Sequence, residues 1–298
     1  MIGDLTRATP VLVQGIGGRM GRTHAALMRA YGTNIVAGIA TRATDADIPV
    51  FPDCAAAIAA TGARVSVAFT PPAETLAAAL DAFAAGIRLL VTVAEGVPVH
   101  DARRIGLAAR ASGAQWLGAS TPGLAVPGAV KLGFLPDISL RPGPIGLMSK
   151  SGTLSYEVGW RLARAGLGQS LWIGVGGDPV KGLRFPDLIP VFLADPATRA
   201  IVLVGEVGGT EEEDAARAYA AAGATKPLYA LIAGREAKEG VAMGHAGALV
   251  HGASGTLAEK RRRLEAAGAI VFSSIAELAR HCAALGGPGQ QQARQKQG

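Results

Sequence analysis

Short apolar runs rich in β-branched residues alternate with alanine-rich segments along almost the whole chain. In the N-terminal part, such runs cover residues 11–14, 35–40, 65–69, 89–93 and 115–118. Each gap between them is long enough for one crossover helix. Continuous apolar runs of this length are typical of strands that are buried on both faces of a parallel sheet. The alternation therefore predicts an α/β protein with a Rossmann-like N-terminal domain.

A second series of the same kind follows in the C-terminal part, at residues 145–148, 171–175, 200–204, 228–232 and 269–272. The stretch between the two series, residues 121–144, is rich in proline and glycine and shows little periodicity. We predict a first domain over residues 1–125 and a flavodoxin-like, doubly wound domain over 144–285, joined by a linker over 126–143. The polar, glutamine-rich residues 286–298 are predicted to be a disordered tail.

The charge of the chain does not indicate a nucleic-acid partner. The formal net charge is +6, but only 5% of the 298 residues are aromatic, too few for a surface that stacks bases. The basic run at residues 260–263 follows a capping box at 256–259, and we interpret it as a solvated helix face. The positive charge instead favours a pocket for an anionic ligand.

No membrane association and no metal site are predicted. No apolar run approaches the roughly 18 residues of a membrane span, and residues 1–5 lack the apolar core of a signal peptide, so a cytoplasmic protein is expected. Cys54 and Cys282 lie far apart in alanine-rich segments and are interpreted as buried free thiols. The five histidines do not cluster with cysteine or acid at metal-ligand spacing.

A glycine-rich turn at residues 15–21 follows the first predicted strand. It approximates the G-x-G-x-x-G fingerprint of dinucleotide-binding domains, but Met20 occupies the third glycine position and Gly21 follows it. The second predicted strand ends without the acid that would bind the ribose of NAD, and Arg42 offers a cation there. These residues favour a ligand with an extra ribose phosphate, either NADP or coenzyme A.

Two turns of the second series carry groups suited to phosphate chemistry. Residues 149–153 end a strand and open a helix, whose free N–H groups and hydroxyls form an anion cradle. Glu206 precedes a pair of glycines at the end of another strand, where a carboxylate orients an imidazole; the alternative is a solvated loop acid. The acids at 211–213 are interpreted as first-turn residues that complement a helix dipole.

His245 lies between Gly244 and Gly247 in the sequence Gly-His-Ala-Gly. Small neighbours leave the imidazole accessible to a group as large as a phosphoryl group. Taken alone, these residues favour a histidine in a tight turn. The surrounding motifs favour a nucleophile.

In combination, these motifs resemble the α subunit of succinyl-CoA synthetase, the succinate–CoA ligase family. The similarity extends from about residue 11 to 278. It is carried by six segments in the same order, at residues 14–21, 92–98, 149–157, 174–179, 205–209 and 244–248. Each segment alone is weakly specific, and their combination is what identifies the family.

The resemblance implies that His245 is phosphorylated and is oriented by Glu206. The phosphoryl group would pass from ATP or GTP, held with Mg²⁺ on a partner subunit, to a small carboxylic acid near Tyr156. Ser151, Gly152 and Thr153 match the family's phosphate-binding helix N-terminus. Coenzyme A, the second substrate, is implied to bind residues of the first domain: Gly17, Gly18, Arg19, Met20, Val93, Ala94 and Glu95.

The chain contains no recognisable ATP-grasp region and no Walker lysine loop. A β subunit with an ATP-grasp domain is therefore implied, in an αβ or α2β2 assembly. The chain also departs from the family pattern: residues 118–123 read Gly-Ala-Ser-Thr-Pro-Gly instead of Gly-Pro-Asn-Cys-Pro-Gly. The loop after the second strand is shortened and lacks a CoA-contacting lysine, for which Arg42 is a candidate substitute.

These departures leave the acid open among succinate, malate, citrate, a sulfonated acid and other small acids. A non-catalytic CoA-sensing module and an NADP-dependent oxidoreductase are the alternatives from other functional classes. The first would have no use for His245 and Glu206, and the second would leave the phosphate cradle unexplained.

Overall fold

The computed structural model describes residues 1–41, 47–234 and 255–285. Its N-terminal part contains a parallel sheet of six strands: β1 (Val11–Gln14), β2 (Ile35–Ile39), β3 (Val50–Phe51), β4 (Val65–Ala68), β5 (Leu89–Thr92) and β6 (Gln115–Leu117). The strand order is β3-β2-β1-β4-β5-β6, which is the order of classical dinucleotide-binding domains. The predicted Rossmann-like sheet is confirmed.

Among the described residues, four α-helices pack on this sheet: α1 (Arg19–Tyr31), α2 (Cys54–Thr61), α3 (Thr75–Ala84) and α4 (Val99–Ser112). Local signals set their ends. The side chain of Asp53 accepts the N–H of Ala56 and caps the start of α2. Glycines in the left-handed conformation end α1 at Gly32 and α4 at Gly113.

The C-terminal part contains a second sheet: β7 (Gly123–Val126), β8 (Val130–Gly133), β9 (Pro142–Ser149), β10 (Gln169–Gly174), β11 (Ala200–Glu206), β12 (Leu228–Ala233) and β13 (Ile270–Phe272). The strand order is β13-β12-β11-β9-β10-β7-β8, and β7 and β8 run antiparallel to their neighbours. The five parallel strands alone have the flavodoxin-like order. The helices of this part are α5 (Gly152–Arg164), α6 (Phe185–Ala194), α7 (Glu211–Ala221), α8 (Leu257–Ala266) and α9 (Ile275–Ala283).

The segment that the sequence predicts as a linker, residues 126–143, belongs in part to the second sheet. Strand β8 lies within it and forms a hairpin with β7, and β9 begins at Pro142. The β8 backbone also contacts the first domain, since Lys131 O accepts the Thr33 hydroxyl at 2.8 Å. Both faces of β8 are buried and Lys131 interrupts its apolar run, so the strand shows no periodicity in the sequence. The predicted domain boundaries remain a prediction.

The two domains share packing and backbone hydrogen bonds. Gly182 N–H donates to Gly118 O at 2.6 Å, and Leu183 N–H donates to Trp116 O at 2.7 Å, so a loop of the second domain extends the β6 edge of the first. One apolar core cluster contains residues from both sheets, among them Val91 and Ile173. Within the described ranges, no helix is both long and apolar enough to cross a bilayer.

Candidate functional site

The glycine-rich turn at residues 15–21 connects β1 to α1 at the carboxyl edge of the first sheet. Helix α1 begins at Arg19, and no side chain caps its N-terminus. A Cβ on Gly21 would lie 2.1 Å from Gly15 O, so Gly21 provides the close contact between turn and helix that the third glycine of the fingerprint provides. The close packing of turn and helix is therefore maintained although Met20 occupies the third glycine position of the fingerprint. Four residues predicted to bind coenzyme A are exposed here: Gly17, Gly18, Arg19 and Met20.

The other predicted coenzyme A residues lie at the same edge of the sheet. Val93, Ala94 and Glu95 directly follow β5, which is two strands away from β1 in the parallel sheet. Val93 and Ala94 are half-buried and Glu95 is exposed. Arg42, the predicted substitute for the family's lysine, lies outside the described residues.

A second cation, which the sequence pattern did not predict, lies at the glycine turn. The Arg22 guanidinium donates to Gly17 O at 2.5 Å, one helical turn after Arg19. Arg22 and Arg29 line a cavity of about 100 Å³ beside Ile16. The spacing of three residues between Arg19 and Arg22 was the signal that could have revealed this pair.

The predicted phosphate cradle lies at the N-terminus of α5. Ser151 is the N-cap, and its hydroxyl accepts the N–H of Leu154 at 3.3 Å. Gly152 is half-buried and Thr153 is exposed in the first turn, where N–H groups have no partner within the helix. The Tyr156 hydroxyl lies 3.3 Å from the position of a Cβ on Gly152, and burial raises the pKa of this phenol. The structure therefore brings Tyr156 and the predicted cradle together.

Glu206 is the last residue of β11 and is only 6% exposed. It is therefore not the solvated loop acid that was the alternative interpretation. Its N–H donates to Glu212 Oε1 at 3.1 Å. Strands β11 and β9 are neighbours and pair Val204 with Ser149, so Glu206 and the start of α5 lie at adjacent strand ends.

A buried ionic cluster lies beneath these two turns, and we call it the lysine–glutamate cluster. It consists of Lys150, Lys181, Lys260, Glu211, Glu212 and Glu213, whose side chains are at most 6% exposed. Lys150 Nζ lies 2.9 Å from Glu212 Oε1. Lys260 Nζ binds Glu212 Oε2, Glu213 Oε2 at 3.0 Å and Gly209 O at 2.9 Å.

The cluster adds to one interpretation of the sequence and corrects another. The acids at 211–213 do lie in the first turn of α7, but they are buried against lysines and do not face solvent. Lys260 was assigned to a solvated basic face, yet its side chain is 0% exposed, whereas the side chains of Arg261, Arg262 and Arg263 are 48 to 60% exposed. Lys260 lies on the inner face of α8, where it contacts Glu212 and Glu213, and no local pattern in the sequence predicts these contacts.

Electrostatic interactions keep the centre of the cluster charged. Burial by itself would raise the pKa of Glu212, but the charges of Lys150 and Lys260 outweigh it and hold the pKa below its ordinary value. Burial lowers the pKa of Lys150, and Glu212 and Glu211 reverse this effect and raise it. Glu212 and Lys150 are therefore both ionised at neutral pH. At Lys181 burial prevails, and its pKa is lowered even though Glu211 lies 2.9 Å away.

His245, the predicted nucleophile, lies outside the described residues, but both ends of its segment are anchored at the Glu206 turn. Val207 N–H donates to Ala233 O at 3.0 Å, just before residues 235–254. Gly208 N–H donates to Gly255 O at 2.8 Å, just after them. The described residues on the two sides of the His245 segment, Ala233 and Gly255, therefore both bond the turn that follows Glu206.

The altered loop at residues 118–123 lies at the junction of the two domains. Thr121 is buried, donates its hydroxyl proton to Gly174 O and accepts the N–H of Gly123 at 2.9 Å. The loop thus packs on the end of β10, at the carboxyl edge of the second sheet. Thr121 stands where the family pattern has cysteine, and it bonds the protein backbone there.

Comparison with known proteins agrees with this arrangement. A family model described as CoA binding domain matches residues 6–96, and one described as CoA-ligase matches residues 148–270. The succinate–CoA ligase [ADP-forming] α subunit of Aquifex aeolicus is 42% identical over 279 residues, which cover 92% of this chain and 91% of the relative. The chain belongs to the succinate–CoA ligase α-subunit family. The predicted resemblance is confirmed.

Other members of the succinate–CoA ligase α-subunit family carry names with a different acid. The ADP-forming sulfoacetate-CoA ligase subunit SauD of Bilophila wadsworthia is 41% identical over 274 residues. The match covers 90% of this chain and 94% of the SauD chain. Among solved structures, ATP citrate lyase from Methanothrix soehngenii in complex with citrate and coenzyme A is similar, with a TM-score of 0.84 and 26% identity. That match covers 95% of this chain and 50% of the lyase chain. Membership of the family leaves the roles of individual residues as predictions.

Proposed function

We propose that this chain is the α subunit of an ADP- or GDP-forming acid–CoA ligase that works through a phosphohistidine at His245. The observation that carries the proposal is the anchoring of both ends of the His245 segment at the turn of the buried Glu206. The N-terminus of α5 opens at the neighbouring strand end. The carboxylate of Glu206, a helix N-terminus that favours phosphate and the residues that flank the His245 segment lie at one edge of the sheet, which supports the proposal.

Each step transfers one group. A ring nitrogen of His245 accepts the terminal phosphoryl group of the nucleotide, and the nucleoside diphosphate leaves. A carboxylate oxygen of the acid then attacks the phosphorus, which frees the imidazole and forms an acyl phosphate. The thiol sulfur of coenzyme A attacks the acyl carbon, and inorganic phosphate leaves as the thiol proton is lost. The activation is needed because a carboxylate is a poor acyl donor.

The chain's own residues supply positioning and charge stabilisation. Glu206 accepts a hydrogen bond from the second ring nitrogen of His245 and holds the imidazole in one tautomer. Ser151, Gly152 and Thr153 present the N-terminus of α5 to the phosphoryl group. Tyr156 borders the acid.

Coenzyme A is assigned to the first domain, in line with the family model that matches there. Its phosphates lie against the turn at residues 17–20, with Val93, Ala94 and Glu95 as a second wall and Arg42 at the 3′-phosphate. The acid is succinate or another small acid, such as sulfoacetate, malate or citrate, because residues 120 and 121 differ from the family pattern.

The nucleotide belongs to a partner in this proposal. A β subunit with an ATP-grasp domain binds ATP or GTP with Mg²⁺. The nucleotide supplies the phosphoryl group, and Mg²⁺ would offset the negative charge of that group. The assembly is αβ or α2β2. A cytoplasmic location is part of the proposal, since Cys54 and Cys282 are both free thiols, as is usual in a reducing compartment.

Phosphorylation without the other substrates tests the proposal. The complex of this chain with its β subunit, given labelled ATP and Mg²⁺ but no acid or coenzyme A, should acquire an acid-labile, base-stable label on this chain. His245→Ala should abolish the label, and a label that persists in this variant refutes the assignment of the nucleophile. Glu206→Gln should slow labelling by roughly ten- to a thousandfold and leave coenzyme A affinity unchanged, because coenzyme A binds in the other domain. Formation of ADP with a panel of acids then identifies the acid.

A further inference from the structure

One carboxylate of the lysine–glutamate cluster contacts three segments around the proposed phosphoryl-transfer site. Glu212 is fully buried in the first turn of α7. Its Oε1 accepts the N–H of Glu206 at 3.1 Å and lies 2.9 Å from Lys150 Nζ. Its Oε2 binds Lys260 Nζ.

Each of these contacts leads to a different part of the site. Lys150 directly precedes Ser151, the N-cap of α5. Glu206 begins the turn that hydrogen-bonds Ala233 and Gly255, the described residues on the two sides of the His245 segment. Lys260 is in the first turn of α8, shortly after that segment, and it also donates to Gly209 O at 2.9 Å. Glu212 therefore links the cradle, the Glu206 turn and the helix that follows the His245 segment.

The backbone of β11 is shaped to admit this carboxylate. A Cβ on Gly205 would lie 2.6 Å from Glu212 Oε1 and 2.7 Å from Glu212 Cγ. A side chain at residue 205 would displace the Glu212 side chain from the N–H of Glu206. The fit of Gly205 to Glu212 shows that the contact depends on close approach.

The bonding is strong and directional. Glu212 is ionised, as its lowered pKa indicates, and it accepts charge-assisted hydrogen bonds from two ammonium groups in a buried site. Such bonds are stronger in a low-dielectric interior, so the groups that they join keep one relative arrangement.

We infer that Glu212 is a positioning residue for phosphoryl transfer, which fixes the backbone of Glu206 relative to the N-terminus of α5 through the Glu206 N–H and Lys150. The inference rests on the proposed phosphohistidine function. Glu212 acts through Glu206 and the α5 turn, and it touches no substrate in this proposal. Its loss should therefore slow the formation of phosphohistidine and leave the binding of coenzyme A unchanged.

The decisive variant is Glu212→Gln in the complex with the β subunit. The rate of His245 labelling should fall about 100-fold, the scale expected when reacting groups are displaced by about 1 Å. The dissociation constant of coenzyme A should stay at the parent value. The matched control is Glu213→Gln, the next residue, which also removes a buried carboxylate bound to Lys260 but keeps the bond between Glu206 and Glu212. Its labelling rate should stay close to that of the parent, and an equal loss in both variants overturns the inference.

A double-mutant cycle separates positioning from a general structural role. Because Glu212 acts in part through Glu206, the double variant Glu206→Gln, Glu212→Gln should lose less rate than the product of the two single losses. Effects that multiply would show that the two residues act independently and would overturn the inference. If Glu212→Gln does not fold, Glu212→Asp replaces it, since this variant keeps the charge but withdraws the carboxylate by one methylene. Labelling of a folded Glu212→Asp chain at the parent rate contradicts the inference.

The outcomes for the two proposals are distinct. Labelling that survives His245→Ala refutes the phosphohistidine function itself. Labelling that requires His245 but proceeds at the parent rate in Glu212→Gln refutes only the positioning role.

Discussion

Replacement of Lys260 by methionine should destabilise the protein far more than the loss of any exposed cation. The Lys260 ammonium is fully buried and binds Glu212, Glu213 and Gly209 O. Methionine fills a similar volume but leaves two buried carboxylates with one fewer counter-charge. Breaking a buried ion pair from one side costs about 3–5 kcal/mol. A domain of this size loses about 2–4 °C of Tm per kcal/mol, so we expect Tm to fall by roughly 6–20 °C.

The effect should depend on pH in a defined direction. Lys150 and Lys260 hold the pKa of Glu212 below its ordinary value against the opposing effect of burial. A group whose pKa is lowered by folding contributes stability that is complete above its unfolded pKa and is lost as the pH falls through its folded pKa. The stability difference between Lys260→Met and the parent should thus be largest at neutral pH and shrink in acid, as Glu212 of the variant becomes protonated.

Thermal and urea unfolding of both chains measure this difference, with Arg261→Met as the matched control. Arg261 is the next residue on α8, is 48% exposed and pairs with Glu265 at 2.8 Å. The same charge is removed there, but an exposed ion pair contributes only about 0–1 kcal/mol. If Lys260→Met costs no more than Arg261→Met, the lysine–glutamate cluster does not stabilise the fold as described.

Three further predictions concern the first domain and the thiols. Gly21→Ala places a Cβ 2.1 Å from Gly15 O, so it should lower the unfolding midpoint and weaken coenzyme A binding; calorimetry that finds the parent affinity contradicts this. Arg42→Ala should weaken coenzyme A binding by about 5- to 150-fold, and the variant should lose discrimination against dephospho-CoA if Arg42 contacts the 3′-phosphate. Burial raises the pKa of both thiols, that of Cys282 to about 12. Neither Cys54 nor Cys282 should therefore react with a disulfide reagent until denaturant is added. Rapid reaction of the native chain would contradict the described burial.

The positions of the parallel strands could be predicted from the sequence because burial on both faces leaves a continuous apolar run. The runs at residues 11–14 and 200–204 correspond to β1 (Val11–Gln14) and most of β11 (Ala200–Glu206). Strand β8 could not be predicted in this way, because Lys131 interrupts it; the buried lysine pairs with the nearby Asp137 and lies over the ring of Tyr31, which is distant in the sequence. A partner that is distant in the sequence makes such a residue acceptable in a strand.

The candidate site likewise contains some features that the sequence predicts and others that depend on the fold. The glycine turns, the helix start at Ser151 and the acid at the end of β11 are local features, and the sequence alone predicts them from turn and capping chemistry. The sequence alone does not predict the burial of Glu206 or the role inferred for Glu212. Lys150 and Glu212 are 62 residues apart, and only the adjacency of β9 and β11 brings them together.

Lys260 and Arg261 show most directly what the tertiary structure decided. They are adjacent cations in one basic run on one helix, and the sequence alone determines that run, its capping box and the helix that contains it. Only the fold places Glu212 and Glu213 opposite Lys260 and solvent opposite Arg261. A charge is stable in the interior only where opposite charges and hydrogen-bond partners surround it, and those partners come from other elements of the chain.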